Sequence, residues 1–120
     1  MPKILVDTNI LLRHLIDGDK TLQEVAKKGR VWLLDEILIE LVFALENHYH
    51  EPREVVFDLS VGLLLNPSID TNRTLLFDAL AVYRDRPNLS IVDAYLLVFS
   101  QANKVELVTL DRKLGRRVVK

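Results

Sequence analysis

The strongest constraint on the fold of this chain is a repeated change of hydrophobic period. Short β-branched apolar runs, Ile4-Leu5-Val6, Val31-Trp32-Leu33-Leu34 and Leu107-Val108-Thr109-Leu110, alternate with longer stretches whose apolar residues recur at helical spacing. The helical stretches are predicted over Asn9 to Ile16, Lys20 to Lys28, Glu36 to His48, Pro52 to Leu65, from the Thr71 to Thr74 capping region to near Arg86-Pro87, and from Ser90 to about Asn103. Ile69-Asp70 adds a very short candidate strand. Strands separated by helices need crossover connections, so the pattern predicts an α/β fold with a parallel sheet covered on both faces. Val31 to Leu34 is apolar on both sides, as a central parallel strand should be. Gly29 is expected to stop its helix in the left-handed conformation, and Pro52 to open the next at a first helical position. With 120 residues and no repeat or linker, residues 1–120 read as a single domain.

Composition narrows the function by exclusion. The absence of cysteine removes disulfide frameworks and thiolate metal sites. The N-terminus reaches Asp7 before any signal-like apolar stretch, and no apolar run has the length of a membrane span, so a cytoplasmic protein with no membrane partner is expected. The net charge of −1 provides no global attraction for nucleic acid. Any such contact needs a local patch, and Arg112, Lys113, Arg116 and Arg117 near the C-terminus form the candidate; the alternative is a solvated charged tail.

Four carboxylates fall where an α/β sheet presents its ligand site. Asp7 and Asp111 each follow a strand-like run, and Glu40 and Asp93 lie early in predicted helices, so all four can reach the carboxyl edge of the sheet. Such an all-oxygen set suits Mg²⁺ or Mn²⁺. Each acid also has a purely structural explanation. Asp7 or Thr8 can cap a helix, Ser90-Ile91-Val92-Asp93 matches a capping box, and Asp111 can cap the turn after it. Glu40 interrupts an otherwise apolar helix, and either faces a polar cleft or shares a narrow solvent strip with Glu36, Phe43 and Asn47. His48 and His50 are two apart, a spacing that does not place both on one helical face, and zinc is not expected there.

The segments V-D-T-N-I-L-L, D-E-I-L-I-E-L-V-F-A-L, L-S-I-V-D-A-Y-L-L and L-V-T-L-D-R-K-L resemble, in order and spacing, the four blocks of a PIN domain. The resemblance covers nearly the whole chain, with Leu110 standing where the family often has an aromatic residue. It implies a three-layer α/β/α fold with a short central parallel sheet of four to five strands. It also implies metal-dependent ribonuclease activity carried by Asp7, Glu40, Asp93 and Asp111, with Thr8, Asn9, Ser90 and Thr109 supporting the acids. Small single-domain members resemble VapC-type toxins, which implies an RNA substrate, a cognate antitoxin and a homodimer. A housekeeping PIN nuclease of RNA processing is the alternative within the fold. A receiver-like phosphoacceptor domain is the alternative outside it.

Overall fold

The computed structural model describes residues 1–114 and, for the backbone alone, 117–118. The elements run β1 (Lys3–Leu5), α1 (Thr8–Asp17), α2 (Thr21–Lys28), β2 (Arg30–Leu33), α3 (Asp35–Asn47), α4 (Arg53–Leu64), β3 (Ile69–Thr71), α5 (Arg73–Asp85), α6 (Ile91–Asn103), β4 (Val108–Thr109), a 3₁₀ turn (Arg112–Leu114) and β5 (Arg117–Val118). No helix among the described residues is long and apolar enough to cross a membrane.

Local chemistry sets most of these boundaries. Asp7 caps α1, its Oδ1 accepting from the Ile10 amide at 3.2 Å, and Gly18 closes that helix at φ 67° with its N–H donated to the Arg13 carbonyl. Ser90 and Asp93 open α6 with a reciprocal capping box. Pro52 sits one residue before α4, as its cap. Gly29 differs from expectation, because its φ of −177° is extended backbone rather than a left-handed stop. Its reason is space. A Cβ built there would lie 2.4 Å from the Pro2 carbonyl oxygen, which accepts from the Arg30 amide and so ties the chain start to β2. Gly29→Ala is therefore expected to destabilise the fold by roughly 1–3 kcal/mol, the usual cost of overpacking. An unchanged urea midpoint would show instead that the Pro2 segment yields freely.

The parallel α/β architecture is as expected, but with fewer strands in the central sheet. β1, β2 and β3 pair in that order, all parallel, while β4 and β5 form a separate parallel pair. Register gives the sheet two unlike faces. Ile4, Val31 and Ile69 align on one, with Leu33 and Thr71 beyond them, and Val31, Leu33 and Ile69 of this face pack into the core with Leu11, Leu38, Leu41 and Leu64. Lys3 and Arg30 align on the other, as do Leu5, Trp32 and Asp70, and this face is largely open. Among the described residues, cover on both faces is thus not found within one copy. The cause is the placement of the last helices: α5 packs on α4 and α6 on α5 and α3, adding to the covered side instead of crossing behind the sheet.

Polar contacts between distant segments hold that placement. Tyr83 is fully buried and donates from its hydroxyl to Glu46 at 2.9 Å, beneath the Arg53 guanidinium, 4.2 Å from the ring centre. Burial first, and then the Glu46 contact, push the Tyr83 phenol well above its usual range. The Tyr95 hydroxyl likewise donates to Asp35, fastening α6 to the start of α3, and its phenol is raised by burial and that carboxylate. On the open face Arg30 pairs with Asp70, holding the carboxyl below its ordinary value, and the Lys3 ammonium lies 5.1 Å from the Trp32 ring centre.

Candidate functional site

Asp7 leaves β1 two residues past its last paired position and is exposed at the head of α1. Beside it, Thr8 is buried with its Oγ1 lacking a hydrogen-bond partner, and Asn9 is exposed in the first helical turn. Glu40 lies in the second turn of α3 and is exposed in line with Glu36, Phe43 and Asn47. The solvent-strip alternative for Glu40 is therefore the one found. An exposed carboxylate keeps its hydration and needs no buried partner.

Asp93 is half-buried in the first turn of α6. Its amide donates to Ser90 Oγ at 3.1 Å and its Oδ2 accepts from the Ser90 amide at 3.4 Å. It borders a groove of about 430 Å³ between α3 and α6 that Phe43, Asn47, Asn88 and Lys113 also line. Asp111 follows β4 by two residues, as Asp7 follows β1. Thr109 Oγ1 accepts from the Asp111 amide at 2.9 Å, and Asp111 Oδ1 accepts from the Lys113 amide at 3.0 Å. The Lys113 ammonium stands 3.5 Å from Asp111 Oδ2. Asp7, Asp93 and Asp111 thus all perform the capping duties that local spacing suggests.

Of the basic patch, Arg112 and Lys113 are exposed on the 3₁₀ turn. Arg116 lies outside the described residues, and Arg117 is described only through its backbone in β5. The hydrogen bond from Arg86 to the Lys113 carbonyl, at 2.8 Å, fixes that turn against the end of α5. No local spacing signals this contact, or the Tyr95 and Asp35 pair that sets where α6 lies.

A hard divalent cation needs several oxygen ligands that converge. Four carboxylates are the right donors. Among the described residues, however, no three His, Cys, Asp or Glu side chains form a group that could hold a metal ion. Within one copy the donor chemistry fits a metal and the placement does not, and no catalytic step is routed through an ion there.

The central sheet is parallel, and Asp7 stands just beyond the carboxyl end of β1, the edge at which open α/β sheets bind their ligands. The sequence profile of the PIN domain family matches residues 4–119, and the chain belongs to that family, whose members are typically nucleases. Membership removes the receiver-like alternative. No curated protein and no solved structure gives a significant match.

Proposed function

We propose that this PIN domain is a Mg²⁺- or Mn²⁺-dependent endoribonuclease that hydrolyses RNA phosphodiester bonds, and that it is a VapC-type toxin held in check by a cognate antitoxin. The observation that carries the reading is the family match from residue 4 to 119, a span that contains Asp7, Glu40, Asp93 and Asp111 at the ends or within the first two turns of the expected elements. These four form the acidic quartet. In this reading Thr8 and Asn9 orient Asp7 or a water at the site, while Ser90 and Thr109 hold the backbone beside Asp93 and Asp111.

With a net charge of −1, RNA is held through few phosphates, and Arg112, Lys113, Arg116 and Arg117 supply those contacts. The antitoxin blocks the site by offering a cationic side chain to the acids. The protein acts in the cytoplasm as a homodimer.

The test is induction of this gene alone. Growth is expected to stop, with one class of cellular RNA cut at defined positions, and the Asp7→Asn variant is expected to be harmless at equal abundance. Unimpaired growth with intact RNA would overturn the toxin reading. Cleavage of a precursor RNA without growth arrest would favour the housekeeping role.

A further inference from the structure

Phe43 is 61% exposed on α3, one helical turn beyond Glu40 and on the same face of the helix. A single apolar side chain at a surface needs no explanation. The setting of this one does. It lines the groove of about 430 Å³ between α3 and α6 that Asp93 borders, so the ring adjoins two acids of the quartet. Among the described residues no other ring and no cation rests on it.

The rest of the groove narrows what can lie on that ring. Its volume falls within the range of about 300–1,000 Å³ typical of small-ligand sites. Its charges are largely spent. Arg53 stands 3.4 Å from Glu46 and donates to the Tyr83 carbonyl at 2.8 Å, while Asp93 adds a negative charge. Lys113, whose side chain is 53% exposed and 3.5 Å from Asp111, is the lining cation left to meet a phosphate. What remains is a ring and two amides. Asn47 Nδ2 donates to the Phe43 carbonyl at 3.0 Å, which leaves its Oδ1 to accept, and the exposed Asn88 side chain makes no hydrogen bond among the described residues. An aromatic face with amide donors and acceptors beside it suits a nucleobase, which stacks on the ring and hydrogen-bonds through its edge. In a duplex the neighbouring and the paired bases already occupy both.

We propose that this groove holds one unpaired nucleotide of the RNA, its base stacked on Phe43 and its edge read by Asn47 and Asn88, next to the phosphodiester presented to the acids. The RNA is therefore single-stranded beside the cut. The placement of the adjoining phosphate rests on the nuclease reading of the quartet, whereas the base site rests on the groove alone. Phe43 positions the substrate by stacking, and the amides give the site its preference among bases.

Equilibrium binding by fluorescence anisotropy in Mg²⁺ tests this, with Asp7→Asn in every chain to prevent turnover. The probes are labelled adenine-only, cytosine-only and uracil-only RNA strands and a labelled RNA duplex. Phe43→Ala should weaken binding of each single strand about tenfold, on the scale of one lost base–aromatic stack, and leave the duplex unchanged. Phe43→Trp should restore the affinity. The slope of affinity against salt should be the same with and without the ring, because stacking releases no counterions. Asn88→Ala should narrow the spread of affinities among the three strands, and light scattering should give every variant the mass of its parent. Failure of the parent to bind any strand overturns the proposal, and so does equal binding with and without the ring or equal weakening for strand and duplex. A changed mass in Phe43→Ala overturns it too, by assigning the ring to a contact between protein chains. An unchanged spread in Asn88→Ala overturns the edge reading. Cleavage of the same strands by the wild type judges the nuclease reading separately: no cleavage refutes that reading while ring-dependent binding still stands, and cleavage with ring-independent binding does the reverse.

Discussion

Replacing Asp7 by asparagine is expected to reduce RNA cleavage at least about a hundredfold while leaving the fold intact, on the scale seen when one preorganised electrostatic contact to a reacting group is removed. Asp7 does two things that this change separates. As the cap of α1 it offers Oδ1 to the Ile10 amide, and asparagine, which is as good a cap, can offer the same acceptor. As a member of the quartet it contributes a negative charge, which asparagine lacks. The measurement is cleavage rate alongside the urea midpoint. Full activity in a correctly folded variant would remove Asp7 from the chemistry and leave it as a helix cap.

Asp93→Asn makes the same comparison at the start of α6, where the structural duty is more developed. The capping box there is complete, but its return bond from the Ser90 amide to Asp93 Oδ2 is long at 3.4 Å. Losing it should cost on the order of 1 kcal/mol or less, typical of cap changes. The cleavage rate should nonetheless drop steeply, because the amide keeps the cap acceptor and loses the charge. Paired measurements of rate and denaturation decide between the roles. Activity lost only in proportion to stability would mean that Asp93 is a cap and nothing more.

How legible the fold was depends on the distance between the residues that decide each feature. Helix starts and stops were legible where a cap lies within three or four residues of the amide it satisfies, as at Asp7 and at Ser90 with Asp93. The strand is legible at Val31 to Leu33, with Leu34 capping α3 instead of extending it, yet apolar character on both sides does not reveal that Trp32 faces open space, because cover depends on where α6 packs. That placement rests on Tyr95 with Asp35, sixty residues away, and on the Tyr83, Glu46 and Arg53 group, none of which leaves a local signature. Gly29 shows the same limit: its spacing suggested a left-handed stop, while the operative constraint is the distant Pro2 carbonyl. At the site, residue types and their order along the chain were readable, and their convergence was not. β4 is only two residues long and pairs with β5, so four acids in correct order do not meet within one copy.

The central claim, metal-dependent RNA cleavage by this acidic set, is tested most directly by assaying the purified protein on end-labelled RNA after rigorous metal removal and again after adding back single ions. Cleavage should vanish with EDTA and return with Mg²⁺ or Mn²⁺, and those ions should raise the thermal midpoint, because a ligand that binds only the folded protein stabilises it by mass action. Cleavage undiminished in the metal-free protein would contradict the account.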